Sequence, residues 1–330
     1  MTKSLPVSSQ WIVSPRYDLI FFIFPMIFSI LPPLLYFGIL QTGTIESENL
    51  ALTIFFIYLF TLNLPHVFYT FIRTNFDKEE YFRKQKFYLY GPFFILCMAL
   101  VIFLFDNKNL FLMVYPILGL YHAMRQDWGF LKLYKLKNFE SGKGIDYIFF
   151  TSTRFLLIIA LQLPLILNYF NFNHSLQTEN LLRYSFYISL LFYIYYCYVN
   201  FSRSRPINIT KILFISVNLF GYMAMFHFVS HFNLPILILL ASVGIYHDVQ
   251  YHAWIQHYGK SRFLREDYKR FKVCIKYVFL ISLFFASYFI FFHQFRLTNL
   301  IHSFLLVYHY YVDGKIWRFS KAKELRTTYA

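Results

Sequence analysis

Val243–Tyr258 reads V-G-I-Y-H-D-V-Q-Y-H-A-W-I-Q-H-Y. All but its last residue lies within Leu234–His257, an apolar segment of the length a bilayer-crossing helix needs. Yet it carries His247, Asp248, Gln250, His252, Gln256 and His257. Ionisable groups at membrane depth are costly, and where they occur they mark relays, ion paths or ligand sites. The fold and the function both turn on whether other segments bring polar partners to the same depth.

Working outward, the whole chain of 330 residues is 58% hydrophobic and 14% charged, with a mean hydropathy of +0.47. Apolar runs of about twenty residues recur along it, which predicts helices crossing a hydrocarbon core roughly 30 Å thick. A β-barrel would show short alternating segments instead. The expected fold is therefore all-α: one integral-membrane helical domain over 1–330, with about ten spans. These are Tyr17–Leu40, Leu50–Ile72, Phe87–Phe105, Leu110–Leu131, Ile145–Leu167, Leu181–Tyr198, Thr210–His231, Leu234–His257, Val273–Phe292 and Leu297–Trp317. Pro25, Pro32, Pro33, Pro65, Pro116 and Pro164 fall in or near spans, where neighbouring packing tolerates a kink.

The net charge of +15 would suggest nucleic acid in a soluble protein. Here the basic residues lie in loops, and the alternation of those loops explains them. With the N-terminus inside, 27 of the 31 Lys and Arg residues fall on inside segments; Lys108, Arg183 and Arg296 fall outside, and Arg154 lies within a span. This positive-inside bias predicts an even number of spans with both termini cytoplasmic, in the inner (cytoplasmic) membrane of a bacterium. The N-terminal residues show no cleavable signal pattern, so the first span is expected to act as the insertion signal. Cys97, Cys197 and Cys274 sit in apolar runs without CxxC spacing and are expected as packed small hydrophobes.

The second, fourth, eighth and tenth spans run from outside to inside. Counted inward along them, His66, His122, His247, His252 and His309 fall in a slab about 9 Å thick at 1.5 Å per residue. Asp127, Asp248 and Asp313 lie in or just below it, with Arg125, Gln126 and Gln250, and Arg154 reaches a similar level. A lone histidine in a membrane helix is ordinarily a helix–helix hydrogen-bonding residue. Five on four helices at one level, with carboxylates at hand, point to a buried metal site, because neutral imidazole is the commonest ligand and carboxylates orient it.

The metal-ligand candidates are thus His66, His122, His247, His252 and His309. His309 and Asp313 share a helix face. His247 and His252 are five apart, about 140° around a helix, so both can ligate one metal only across a distorted turn. Otherwise one of them plays a supporting part. Asp313, Gln126 and Tyr251 are expected beside the metal as catalytic groups. Arg125, Arg154 and Trp254 are expected on the substrate side, with pairing to Asp127 as the plainer role for either arginine. His227 and His231 also have a metal-ligand spacing, but their span runs outward, which places them near the opposite surface as an interfacial pair. His174, His293 and His302 fall in outside loops or upper turns, and His257 at the inner boundary.

Leu64-Pro65-His66, Tyr121-His122 with Asp127, the His247/His252 segment and His309 with Asp313 come in one order along the chain. In this the chain resembles the Brp/Blh family of membrane β-carotene dioxygenases. The resemblance implies a multi-helix membrane protein whose histidines hold a non-haem Fe(II), with O2 cleaving the central double bond of a carotenoid to give retinal. It implies His66, His122, His252 and His309 as ligands, supported by His247 and Asp313. The HxxHH box of membrane desaturases is absent from the sequence, as are GxGxxG, Walker, HExxH and GxSxG motifs. The sequence thus predicts a metal-dependent oxygenase whose lipid, isoprenoid or carotenoid substrate enters from the bilayer. A proton- or ion-coupled transporter built from the same buried groups, and a non-catalytic membrane partner protein, are the alternatives.

Overall fold

A computed structural model describes residues 10–41, 46–104, 108–140, 144–169, 178–202, 207–232, 234–292 and 296–316. Both termini fall outside the described residues, as do His174 and His293, so the expectations resting on them do too.

The described chain is all-helical and contains no strand. Its long helical stretches are α1 (Pro15–Leu40), α2 (Ser47–Phe76), α3 (Gln85–Leu104), α4 (Lys108–Lys137), α5 (Gly144–Tyr169), α6 (Thr178–Phe201), α7 (Ile209–His231), α8 (Ile236–Arg262), α9 (Arg265–Phe292) and α10 (Arg296–Ile316). Three stretches are long and apolar enough to cross a membrane: Pro15–Leu40, Ser47–Phe76 and Ile209–Phe228. Several helices outrun the apolar runs that announce them. α4 continues through Lys132, Lys135 and Lys137, and α8 through Lys260 and Arg262, where the sequence suggests loops. Lys and Arg are good helix formers, so a change in polarity does not end a helix.

Contacts divide the chain into two compact units. One gathers described parts of 1–51 and 115–247, the other of 52–114 and 248–328; α8 serves both, with the division between His247 and Asp248. In the first unit α5 packs on α6, and α7 packs on α6, α5 and α1. In the second, α2 packs on α9 and α10, and α10 on α3. Gly91 lets α3 and α10 approach closely, since a Cβ there would meet the Tyr311 ring, which stacks on Phe87 with centroids 4.2 Å apart.

Two helices carry a widened turn before a proline. α1 is π-helical over Leu19–Ile23 ahead of Pro25, and α2 over Leu59–Asn63 ahead of Pro65. Proline brings no N–H to the ladder, so the turn before it must place its carbonyls elsewhere. In the first unit the Tyr246 hydroxyl donates to the Phe22 carbonyl at 3.2 Å. In the second, His252 Nε2 lies 2.9 Å from the Leu62 carbonyl. Both side chains come from α8.

Basic residues read as inner-loop charges include some that are buried. Lys135 pairs with Asp146, and Lys211 lies 2.7 Å from Glu140 and 3.2 Å from Asp146, with Tyr196 donating to the same aspartate at 2.8 Å. In the second unit Asp77 accepts from Tyr258 (2.8 Å) and Arg262 (3.1 Å). Burial pushes the Tyr258 hydroxyl up to about 12, and Asp77 raises Arg262 further above its already high value. Cys97 is exposed while Cys197 and Cys274 are half-buried, so the first is not the packed core residue that its apolar run suggests.

Candidate metal centre

His66 follows Pro65 on α2 and His309 lies on α10, both 1% exposed. Their Nε2 atoms face each other at 2.7 Å, with ring centroids 4.4 Å apart and planes at 79°. What lies behind each ring decides what those nitrogens are. Thr70, one turn below His66, has its Oγ1 2.8 Å from His309 Nδ1, 2.8 Å from Asp313 Oδ1 and 2.8 Å from the Tyr251 hydroxyl. A carboxylate only accepts, so Thr70 donates its single proton to Asp313, and its oxygen is left to accept from His309 Nδ1–H. That tautomer puts a lone pair on His309 Nε2. Tyr251 also donates to Asp313, at 3.2 Å, and its ring lies 4.0 Å from that of His66.

His66 Nδ1 lies 3.4 Å from Asp248 Oδ1, near enough for the carboxylate to favour a proton on Nδ1 but without hydrogen-bond geometry, and Asn63 approaches the other oxygen of that carboxylate at 3.4 Å. A proton on Nδ1 would leave His66 Nε2 with a lone pair as well; a proton on Nε2 would instead be donated to His309. Two lone pairs 2.7 Å apart repel unless a cation lies between them. Two imidazole nitrogens on one metal at about 2.1 Å stand about 3.0 Å apart at a right angle and about 3.4 Å apart in a tetrahedron, so a small opening of the 2.7 Å gap would admit one. The donor set fits a metal: His309 presents a basic nitrogen inward with Thr70 behind its ring, and the Asp248 carboxylate lies behind that of His66.

In the first unit, His122 on α4 and His247 on α8 are both buried, with ring centroids 4.9 Å apart and planes at 75°. Gln126, one turn below His122, donates to the His247 carbonyl at 2.7 Å and so ties α4 to α8. His66, His122, His247 and His309 are thus buried histidines able to hold a metal ion.

α8 is α-helical from Ile236 to Arg262, so there is no distorted turn between His247 and His252. His252 turns elsewhere. Its Nε2 meets the Leu62 carbonyl, which only accepts, so that nitrogen carries the proton. The ring packs edge-on to Tyr69 and stacks on Phe279. Asp313 Oδ2 lies 3.9 Å from His309 Nε2, while Oδ1 takes the Thr70 and Tyr251 hydrogen bonds.

The residues expected on the substrate side separate. Arg154 is buried on α5 and pairs with Asp127 at 3.2 Å, its guanidinium 3.8 Å from the Tyr222 ring centre. Arg125 is exposed, and Trp254 is buried near His257. Thr70 is a site residue that sequence reasoning passed over. Threonine is unremarkable in an apolar run, and only its place one turn after His66 hints at it.

Comparisons with protein-family models, with curated proteins and with solved structures return no match.

Proposed function

We propose that the protein is a membrane-embedded, histidine-ligated non-haem metalloenzyme, an iron-dependent oxygenase acting on an apolar lipid, isoprenoid or carotenoid. The observation that carries the reading is the buried His66–His309 pair, whose Nε2 atoms lie 2.7 Å apart with Thr70 bonded behind His309 and the Asp248 carboxylate 3.4 Å behind His66. His122 and His247 complete a four-histidine ligand set. His247 is followed directly in the chain by Asp248, whose carboxylate lies 3.4 Å from His66. The apolar runs and loop charges support a ten-span bundle in a bacterial inner membrane with both termini cytoplasmic. The four His/Asp patches support a kinship with the Brp/Blh dioxygenases.

Fe(II) held there would supply the electrons that let O2 react with an alkene. The chain's own residues do the rest. Thr70 and Asp313 hold His309 in one tautomer, and Asp248 holds His66. Gln126 fixes the backbone at His247. Tyr251 packs its tilted ring against His66 and donates its hydroxyl to Asp313, helping to keep this side of the centre dry.

The test is metal analysis of protein purified from iron-replete cells, with O2 uptake measured on carotenoid and isoprenoid substrates. About one iron per chain is expected, as for a single four-ligand site, and it should be lost in His122→Ala and His309→Ala. Metal-free wild-type protein that stays folded would sink the reading. The chain His66–His309–Thr70–Asp313 also favours a second reading, a proton-coupled carrier. Proton flux into liposomes without bound metal would establish that one instead.

A further inference from the structure

A second site lies within the first unit, on α6 and α7, and it uses the histidine pair that the metal reading leaves aside. A cavity of about 560 Å³ opens there beside Arg183, His227 and His231, with Phe186, Phe220 and Met223 among its apolar walls. Its size falls within the range of roughly 300–1,000 Å³ of small-molecule pockets. His227 and His231 stand one turn apart on α7, both exposed, with rings 5.9 Å apart and nearly parallel at 21°. Arg183 reaches the same cavity from α6.

The pair has the spacing of metal ligands, but the surroundings favour an anion. No Asp or Glu is among the described residues lining the cavity. The arginine adds a fixed positive charge, which opposes a divalent cation and favours a carboxylate or phosphate. The imidazoles can donate to such a group, and the phenylalanine and methionine walls can bury a chain. A cationic end joined to an apolar trough fits one kind of occupant.

We propose that this cavity binds an amphiphile with an anionic head and a single apolar chain. The head rests on Arg183, His227 and His231, and the chain lies along Phe186, Phe220 and Met223. The proposal stands apart from the metal reading, since none of these residues belongs to that centre.

The test is ligand binding to the full-length protein in phosphatidylcholine nanodiscs, with oleate, oleoyl lysophosphatidate, monoolein and inorganic phosphate as probes. Saturable binding of oleate or lysophosphatidate, at least tenfold tighter than monoolein, is expected. Which of the two binds tighter tells a carboxylate head from a phosphate head. Inorganic phosphate alone should fail to compete, because it has no chain to bury. Arg183→Ala and the double variant His227→Ala/His231→Ala should each weaken binding about tenfold, the 1.4 kcal/mol of one charge-assisted contact, with metal content unchanged. Phe220→Trp, which narrows the trough and keeps its charges, should weaken long-chain probes more than short-chain ones. Equal binding of monoolein and oleate, or binding indifferent to loss of Arg183 and the histidines, would overturn the proposal.

Discussion

His227 and His231 are four apart on one helix, the spacing that most invites a metal, and they stand exposed beside an arginine. His66 and His309 are 243 residues apart on two helices, and their Nε2 atoms meet at 2.7 Å in the core. The difference lies behind the rings. Nδ1 of His309 is hydrogen-bonded to Thr70, which leaves its Nε2 basic, and the Asp248 carboxylate lies 3.4 Å from Nδ1 of His66. The exposed pair shares its cavity with a fixed positive charge instead. What sets the two pairs apart is the burial around the rings and the oxygens near them, and sequence spacing shows neither.

Breaking the buried pair should give the largest effect. His309→Ala or His66→Ala is expected to abolish metal binding, read by metal analysis of the purified protein, while His227→Ala and His231→Ala should leave metal content at the wild-type level. If the exposed pair were the metal site, those results would be reversed.

Removing the support while keeping the ligand should give the next largest effect. Thr70→Val deletes the hydroxyl that sets the His309 tautomer, and metal affinity should fall about 10–100-fold. Thr70→Ser, which keeps the oxygen, should restore most of it. Competition with a chelator measures both. A Thr70→Val protein that binds metal as tightly as wild type would show that the tautomer argument is wrong.

His252→Leu sharpens the comparison from a third side. Its proton is committed to the Leu62 carbonyl, so the loss should appear as stability, about 1–3 kcal/mol for the orphaned buried carbonyl, with metal retained. Denaturant unfolding in detergent, paired with metal analysis, separates the two. Loss of metal without loss of stability would return His252 to the ligand set. The smallest effect is expected from Gln126→Leu, which frees the His247 carbonyl from one side-chain donor. It should shift the metal's spectrum and affinity modestly, leaving stoichiometry intact.

Much of the helical framework was legible. Each apolar run read from the sequence falls on one helical stretch, from Pro15–Leu40 to Arg296–Ile316, and among the described residues three of these are long and apolar enough to cross a membrane. Some of their C-terminal ends were not: α4 and α8 run on through Lys137 and Arg262, since charged residues propagate a helix as well as apolar ones. The π-turns before Pro25 and Pro65 left no periodic trace, although a proline with polar groups opposite was the cue available. At the site, depth counting drew attention to His66, His122, His247 and His309, because depth follows from position along a helix. It left His247 and His252 open, because the choice depends on which carbonyl a widened turn offers at Leu62. Thr70 was invisible, because its role comes from three partners on two other helices.

The central claim is that four buried imidazoles hold one metal. X-ray absorption at the metal edge of the purified protein tests it most directly. The account predicts a shell of nitrogen or oxygen neighbours at about 2.1 Å with the outer-shell scattering of imidazole rings, weakened in His122→Ala and in His309→Ala alike. A metal without imidazole scattering, or a spectrum unchanged in either variant, would contradict it.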